Sequence, residues 1–346
     1  MPRKIDVLIV DDSAYMRKVI TNMLQSDEDI FVVDTARDGL DALEKIKKWK
    51  PQVITLDVEM PRMDGLTALQ KIMQDCPTAV IMLSSLTQEG SETTIKALTL
   101  GAVDFVPKPS GAISLDIAKV KEELIAKIKV CARAALKNVH TVPLLMQVRP
   151  KAPIVQATGG VPDKLVIIGS STGGPNALQQ VIPRLPADLP AAVLVVQHMP
   201  AGFTNSLATR LNDISRLSVK EAAEGDILRT GQVYIAPGGN HMVLEGSHTI
   251  RLNSNPPVHS VRPAVDVTME SVIANFKGPL IGVILTGMGY DGAKGMAAIK
   301  SVGGKTIAQD EATCVVYGMP RVVVEMGKAD KVMPITEIAQ GIVEML

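Results

Sequence analysis

Short apolar runs alternate with helical periodicities along residues 1–136. The runs are rich in β-branched residues, which is typical of buried strands, whereas apolar residues spaced every three or four positions are typical of one helical face. Five runs, each followed by a helical pattern, are found at Val7–Val10, Phe31–Val33, Val53–Leu56, Ala79–Leu83 and Phe105–Val106. Five strand–helix units in this order predict a parallel five-stranded sheet, doubly wound with helices on both faces.

The alternation stops at residues 137–160 and then begins again. This segment holds 3 prolines and 2 glycines without periodicity, so we interpret it as a linker. Beyond it, buried strands are predicted at Leu165–Gly169, Ala192–Val196, Gln232–Ile235 and Leu280–Leu285. The helical patterns between these strands predict a second doubly wound α/β domain.

The length of 346 residues is consistent with two domains. We expect the first at residues 1–125, the end of its last helix and the linker at 126–160, and the second at 161–346. The two halves share an architecture but no sequence repeat.

Composition narrows the class of protein. The chain has 36 Lys and Arg against 36 Asp and Glu, and residues 161–346 have 15 against 16, so neither half carries the basic excess of a nucleic-acid binder. The 3 cysteines are far apart, which fits a reducing compartment and argues against disulfides or a zinc site. No signal-peptide pattern and no apolar run of the ~20 residues needed for a membrane span is found. We therefore expect a cytoplasmic protein without nucleic-acid binding or membrane insertion.

Carboxylates cluster at the predicted strand ends of the first half. Asp11 and Asp12 follow the first strand and Asp57 follows the third, and the carboxyl ends of parallel strands meet at one edge. Crowded carboxylates repel each other unless a cation joins them, and Mg²⁺ is the natural hard ion. Ser84 and Lys108 end the next two strands and supply a hydroxyl and an ammonium for phosphoryl oxygens. Asp57 is then the predicted phosphoryl acceptor, although helix capping also explains either of the first two aspartates alone.

Residues 1 to about 125 resemble a response-regulator receiver domain. The segments that carry the resemblance are VDDS from Val10, LDVEMPRMDG from Leu56, MLSS from Met82 and VPKP from Val106. The resemblance implies phosphoryl transfer to Asp57 from a sensor histidine kinase, CheA, with Mg²⁺ held by the three aspartates. It also implies that the strand-end serine and lysine respond to the phosphate. Phe105 stands at the family's switch position, and because it has no hydroxyl any switch there is expected to be steric.

A glycine-rich turn follows the first predicted strand of the second half. Gly169–Gly174 fits the pattern G-x-S-x-G with Ser171 at its centre, which exposes the hydroxyl and brings backbone N–H groups near it. His198 and Asp291 also lie just past predicted strands, so the three side chains can meet at one sheet edge. In that arrangement Ser171 attacks, His198 acts as base and then acid, and Asp291 orients the imidazole. The backbone N–H of Met288 can stabilise an oxyanion.

Other interpretations of these residues stay open from spacing alone. The turn is also compatible with a phosphate or dinucleotide loop, although it lacks the G-x-G-x-x-G spacing and a Walker-type lysine. His241 is a rival base, Asp291 fits a turn residue, and Cys314 is either a nucleophile or a buried inert thiol. The chain order Ser, His, Asp also differs from the order in α/β-hydrolases.

Residues 163–346 resemble the catalytic domain of chemotaxis protein-glutamate methylesterases, and the whole chain is similar to the CheB family, in which a receiver precedes that domain. The segments that carry the resemblance are GSSTGGP from Gly169, VQHMP from Val196, YIAPGGNH from Tyr234, SVRPAVD from Ser260, LTGMGYDG from Leu285 and YGMP from Tyr317. Ser171, His198 and Asp291 fall on the family's triad positions. The resemblance further implies that Met288 and Thr172 support the oxyanion.

The resemblance implies hydrolysis of glutamate methyl esters, and deamidation of glutamines, on methyl-accepting chemotaxis receptors. Phosphorylation of Asp57 would activate this reaction by shifting the receiver away from an open cleft, giving chemotactic adaptation; the esterase is expected to need no cofactor. The chain departs from the family at Ser170, where the family has Ala, and at Tyr290, where it usually has Asn. The competing hypotheses are a response regulator whose output is binding, to DNA or a protein, and a nucleotide enzyme built on the glycine loop.

Overall fold

The computed structural model of the protein describes three parts of the chain, residues 4–108, 115–136 and 160–346. The chain divides into two compact units, Met1–Leu145 and Met146–Leu346. The linker predicted at 137–160 lies outside the described residues, apart from its last position.

The described part of the first unit is a five-stranded parallel sheet with helices between the strands. Its strands are β1 (Ile5–Val10), β2 (Ile30–Ala36), β3 (Val53–Asp57), β4 (Ala79–Ser84) and β5 (Asp104–Pro107). Its helices are α1 (Ala14–Gln25), α2 (Gly39–Trp49), α3 (Gly65–Asp75), α4 (Gln88–Thr99) and α5 (Leu115–Leu136). The strand order is β2-β1-β3-β4-β5, with all neighbours parallel, so the predicted fold is confirmed.

Side-chain caps define where several of these helices begin. Asp38 accepts hydrogen bonds from the backbone N–H groups of Leu40 and Asp41 at the start of α2, and Asp64 accepts one from Thr67 at the start of α3. These contacts satisfy backbone donors that have no partner within the helix. The capped ends face the carboxyl edge of the sheet, so capping also orders the loops around that edge.

The described part of the second unit is built on a larger parallel sheet. Its strands are β6 (Leu165–Ser170), β7 (Ala192–Gln197), β8 (Ser218–Glu221), β9 (Gln232–Ile235), β10 (His241–Glu245), β11 (Thr249–Asn253), β12 (Leu280–Ile284), β13 (Lys305–Gln309) and β14 (Lys331–Met333). Its helices are α6 (Gly174–Val181), α7 (Phe203–Ile214), α8 (Val265–Asn275), α9 (Ala293–Ser301), α10 (Met319–Glu325) and α11 (Ile338–Met345), with a 3-10 turn at Ile182–Arg184. Across the described ranges of the chain, no helix has the length and apolarity of a membrane span.

The seven parallel strands follow the order β14-β13-β12-β6-β7-β9-β8, and β10 and β11 form a separate antiparallel hairpin. The four apolar runs in the sequence correspond to β6, β7, β9 and β12. The strands β8, β13 and β14 were not predicted, because each is short and holds at most two consecutive apolar residues. The predicted α/β architecture is confirmed, and its sheet has seven strands where four were predicted.

The three central strands of this sheet end at the same level. Ser170 of β6 lies opposite Gln197 of β7, and Gly169 lies opposite Ile284 of β12. The ladder continues beyond the strands, because the N–H of His198 donates to the carbonyl of Ser170 at 3.1 Å. The loops that follow these strands therefore start side by side.

Candidate active site and phosphorylation site

Ser171 lies in the tight turn between β6 and α6. Its backbone N–H donates to the carbonyl of Thr286 at 3.1 Å, which ties the turn to the loop after β12. Gly173 has φ of 76°, in the left-handed region that favours glycine. A Cβ at Gly287 would lie 2.9 Å from the Cβ of Ser171, so the neighbouring loop also needs glycine there. The loop after β12 therefore holds the serine turn through a hydrogen bond to its backbone and through close packing at Gly287.

His198 and Asp291 form a hydrogen-bonded pair beside this turn. His198 Nε2 is 2.8 Å from Asp291 Oδ2, and both side chains are largely buried. A carboxylate accepts from an N–H, so Nε2 carries the proton and Nδ1 is the basic nitrogen. The Ser171 hydroxyl forms no hydrogen bond with any described residue, and such contacts often tighten only when substrate binds.

Asp291 is held ionised by its surroundings. Burial opposes its ionisation, but hydrogen bonds from His198 and from the backbone N–H groups of Asp266 and Val265 outweigh burial and lower the pKa of Asp291 below its usual value. The two backbone contacts, 2.6 Å from Val265 and 3.0 Å from Asp266, come from the start of α8. The carboxylate is therefore oriented and charged at neutral pH.

The structure argues against both His241 as the base and Cys314 as the nucleophile. His241 is buried, with Nδ1 accepting from the N–H of Ala264 at 3.2 Å and Nε2 3.2 Å from the carbonyl of Pro256. Both of its ring nitrogens are therefore occupied by backbone groups. Burial raises the pKa of the Cys314 thiol far above its usual range, so this thiol stays protonated and weakly nucleophilic. The geometry thus favours His198 as base and Ser171 as nucleophile.

Thr172 follows the serine in its turn, and Met288 lies in the loop after β12 that packs against this turn. The carbonyl of Thr172 accepts from Thr286 Oγ1 at 3.0 Å, which fixes the peptide unit between Thr172 and Gly173. The side chain of Met288 is exposed. The backbone N–H groups of both residues form no hydrogen bond with the part of the chain that the structure describes. Both N–H groups are therefore without an acceptor in that part of the chain, as the donors of an oxyanion site must be.

The strand-end carboxylates of the first unit also converge. Ligand atoms of Asp11, Asp12 and Asp57 lie within 4.8 Å of one another. Lys108 Nζ is 2.6 Å from Asp57 and 3.2 Å from Asp11. Burial raises the pKa of Asp57 to about 6, although the Lys108 ammonium offsets part of this effect. Oxygen ligands with an excess of negative charge fit a hard divalent cation such as Mg²⁺.

Two family models match this chain, one in each unit. A family model described as CheB methylesterase matches residues 166–342, and one described as response regulator receiver domain matches residues 7–118. A relative from Symbiobacterium thermophilum is 58% identical, covering 98% of this chain and 96% of its own. The chain belongs to the CheB methylesterase family. The predicted family is thereby confirmed.

Several relatives in the CheB family carry the same name. The Symbiobacterium protein and one from Archaeoglobus fulgidus, 51% identical over 98% of this chain and 97% of its own, are both named protein-glutamate methylesterase/protein-glutamine glutaminase. The crystal structure of the Thermotoga maritima CheB methylesterase catalytic domain is 48% identical to this chain, with a TM-score of 0.52, and covers 53% of this chain and 98% of that one. The fold of the second unit is therefore that of a CheB catalytic domain.

Two of the three predicted switch residues of this CheB-family receiver, Ser84 and Phe105, are buried, whereas Lys108 is partly exposed and pairs with Asp57. Ser84 Oγ lies 2.6 Å from Thr94 Oγ1 and 3.2 Å from the carbonyl of Gly90, so its hydroxyl is engaged by α4. Phe105 is buried, with Lys127 Nζ 5.4 Å from its ring centre. Thr94 was not singled out from the sequence, because a threonine within a helical pattern carries no distinctive spacing.

Tyr290, which precedes Asp291 in the chain, has an aromatic partner of its own. Tyr290 is exposed, and its ring lies edge-on to His259 with 4.7 Å between ring centres. His259 Nε2 is 3.0 Å from Asp266 Oδ2, and Asp266 in turn donates its N–H to Asp291. Neither His259 nor Asp266 was predicted as part of the site, since both lie in a segment without strand or helix periodicity at its start.

Proposed function

We propose that this protein hydrolyses glutamate γ-methyl esters, and deamidates glutamines, on methyl-accepting chemotaxis receptors. The observation that carries the proposal is the His198–Asp291 hydrogen bond of 2.8 Å next to a serine turn with unpaired backbone donors. The names of the relatives supply the substrate class. The esterase chemistry uses side chains and backbone groups alone.

The proposed reaction begins with attack of Ser171 Oγ on the ester carbonyl carbon while His198 Nδ1 takes the hydroxyl proton. The carbonyl electrons move onto oxygen, where the N–H groups of Thr172 and Met288 donate to the oxyanion. Collapse breaks the bond to methoxide, which leaves as methanol with the proton from His198. Water then attacks the acyl-serine with His198 as base, releasing glutamate and restoring Ser171. A glutamine side chain follows the same path, with ammonia leaving in place of methanol.

We further propose that the first unit regulates this activity through phosphorylation of Asp57 by a sensor histidine kinase, CheA. Asp11, Asp12 and Asp57 would hold Mg²⁺, which when bound offsets the charge of the carboxylates and the incoming phosphoryl group. Lys108 already forms an ion pair with Asp57, and after phosphorylation its ammonium would contact the phosphoryl oxygens. Adaptation of the receptors follows if phosphorylation raises hydrolysis, and we propose that the protein acts in the cytoplasm, where kinase and receptor tails meet.

Methanol release from methylated receptor fragments tests both proposals together. Wild type, Ser171→Ala and Asp57→Ala are compared with and without Mg²⁺ and a small phosphodonor. We expect release to vanish in Ser171→Ala and to rise with phosphodonor only when Asp57 is present. Release that persists in Ser171→Ala would refute the serine mechanism, and nucleotide binding spared by that substitution would favour the glycine-loop enzyme. Stimulation that survives in Asp57→Ala would refute the regulatory role.

A further inference from the structure

A buried glutamine joins the peptide units of the candidate nucleophile and base. Gln197 is the last residue of β7 and is 1% exposed. Its Nε2 donates to the carbonyl of Ser171 at 3.0 Å and to the carbonyl of His198 at 3.1 Å. One side-chain amide therefore bridges the turn after β6 and the loop after β7.

The direction of this amide is set by its partners. The carbonyls of Ser171 and His198 can only accept, so the atom that faces both must be the NH₂ group and Oε1 must face the other way. There Ser170 Oγ donates to Oε1 at 2.7 Å. Ser170 is fully buried, so its hydroxyl satisfies an acceptor that solvent does not reach.

The serine turn leaves room for this amide only because residue 174 is glycine. A Cβ at Gly174 would clash with Gln197 Oε1 and would lie 2.9 Å from both Gln197 Cδ and the Cβ of Ser170. The same glycine donates its N–H to the carbonyl of Ser171 at 2.7 Å, so that carbonyl accepts from two sides. Backbone and side chain together hold the peptide unit that follows the nucleophile.

We propose that Gln197 and Ser170, here called the amide clamp, are positioning residues that fix the distance between Ser171 and His198. Neither side chain needs to touch the substrate. The clamp acts because both reacting side chains start from the peptide units that the amide holds, and small displacements of reacting groups are costly. This inference rests on the proposed function, and it assigns a role to the buried hydroxyl of Ser170.

Substitutions of the clamp are expected to lower kcat and leave KM unchanged within about twofold. Gln197→Met keeps the volume but removes all three hydrogen bonds, and we expect kcat to fall about 10- to 100-fold. Ser170→Ala frees only Oε1, so a fall of about 3- to 10-fold is expected. The double variant should match Gln197→Met alone, because without the amide the hydroxyl has nothing left to orient.

The pH profile separates a positioning role from general destabilisation. In Gln197→Glu the ionised carboxylate faces two carbonyl oxygens and is repelled, whereas the protonated form can donate to one of them. The ratio of variant to wild-type kcat/KM should therefore rise as the pH falls from about 8 to about 6. The pH dependence that wild type and variant have in common cancels in the ratio. The ratio for Gln197→Met should stay flat.

The experiment combines methanol release with the rate at which a fluorophosphonate labels Ser171 in the full chain. Gln232→Met is the matched control, because Gln232 starts β9 in the same sheet and its amide accepts from the Tyr234 hydroxyl at 2.9 Å. Thermal melting of each variant checks folding, and Ser170→Ala covers the case in which Gln197→Met does not fold. We expect labelling to slow in the clamp variants in parallel with kcat, and not in the control.

The outcomes distinguish this inference from the proposed function. Labelling that is slow in Gln197→Met but fast in wild type supports the clamp, even if wild type releases no methanol and the receptor assignment fails. Equal labelling and equal kcat in wild type and folded clamp variants would overturn the clamp while leaving the function intact. A wild type that neither labels nor hydrolyses removes the serine mechanism and the clamp with it.

Discussion

At His198, one hydrogen bond determines which ring nitrogen can act as base. Asp291 accepts from Nε2 at 2.8 Å, so Nδ1 is left to take the proton of Ser171. His241 has no such freedom, because the backbone of Ala264 and Pro256 occupies both of its nitrogens. Two histidines between which spacing along the chain discriminates only weakly thus have separate roles, one in the candidate chemistry and one in the packing of the loops.

Paired substitutions of these histidines test that separation. We expect His198→Gln to lower kcat at least about 10³-fold, since no other group replaces the base. His241→Gln should keep kcat within a few-fold while lowering the free energy of unfolding by about 1–3 kcal/mol, because buried backbone groups lose their partners. Methanol release and calorimetric unfolding measure the two effects. A folded His241→Gln protein without activity would show that the base has been misassigned.

Burial of Asp57 also makes a prediction at the scale of one residue. Its pKa is raised to about 6 from 3.8, so the folded state favours the protonated form. In metal-free protein, the contribution of Asp57 to stability is therefore greatest below about pH 4 and is lost as the pH rises through 6. Asp57→Asn removes this cost, and we expect it to raise the free energy of unfolding of the first unit at pH 7 by up to about 3 kcal/mol.

The fluorescence of Trp49, the only tryptophan of the chain, follows this unit selectively because it lies in α2. Urea unfolding with a chelator at pH 7 and near pH 4 should show the stabilisation at the first pH and almost none at the second. Adding Mg²⁺ should stabilise wild type more than Asp57→Asn, since the ion binds the carboxylate. The exposed Asp75 at the end of α3 supplies a control as Asp75→Asn. Equal stability of wild type and Asp57→Asn at pH 7 would contradict the prediction.

At the scale of elements, close approach between loops explains where glycine is required. A Cβ at Gly65, the first residue of α3, would clash with the carbonyl of Asp57 and lie 2.9 Å from Val58. A Cβ at Gly287 would likewise press on Ser171 and on Met319. In both units, a segment that follows a central strand packs directly on the residue that carries the candidate chemistry. Glycine at these points lets the candidate sites form at the strand ends.

Gly287→Ala is expected to displace the serine turn. We predict a fall in kcat of about 10- to 100-fold and a loss of about 1–3 kcal/mol in the free energy of unfolding, as for other overpacked sites. Gly160→Ala is the control, because a Cβ at Gly160 meets nothing within 4 Å. Methanol release and thermal melting of both variants check the prediction. Full activity in Gly287→Ala would mean that the turn and its neighbouring loop are not tightly coupled.

At the scale of the whole molecule, each unit has its own sheet and its own core. The core of the first unit includes Val7, Ile81 and Ile128, and that of the second includes Ile167, Leu194 and Ile284. Neither sheet pairs with a strand of the other among the described residues. A unit with a complete sheet and a separate apolar core is expected to fold by itself.

The two units are therefore expected to separate without loss of chemistry. A fragment of residues 160–346 should fold, release methanol from methylated receptor fragments and lose that activity on Ser171→Ala. It should not respond to phosphodonor, because Asp57 is absent from it. Circular dichroism and methanol release, with the full chain measured alongside, test the expectation. A folded fragment without activity would show that the first unit contributes to the reaction itself.

The sequence alone determined the parts of this protein that depend on local pattern. Apolar periodicity predicted the five strand–helix units of the receiver and the central strands β6, β7 and β12, because burial selects side chains residue by residue along an element. Parallel strands then required Asp11 and Asp57, and likewise Ser171 and His198, to approach one another at a sheet edge. The sequence motifs indicated the family, and the comparisons with known proteins confirm it.

Only the tertiary structure decided the features that depend on partners distant in sequence. The choice between His198 and His241 depends on which nitrogens meet backbone groups, and Asp291 is 93 positions from the histidine that it orients. Gln197 stands next to His198 in the chain, yet its role became visible only with the carbonyl of Ser171 and the hydroxyl of Ser170 around it. The physical reason is that hydrogen bonds are directional and short in range, so the folded arrangement of strands, rather than spacing along the chain, determines which groups they join.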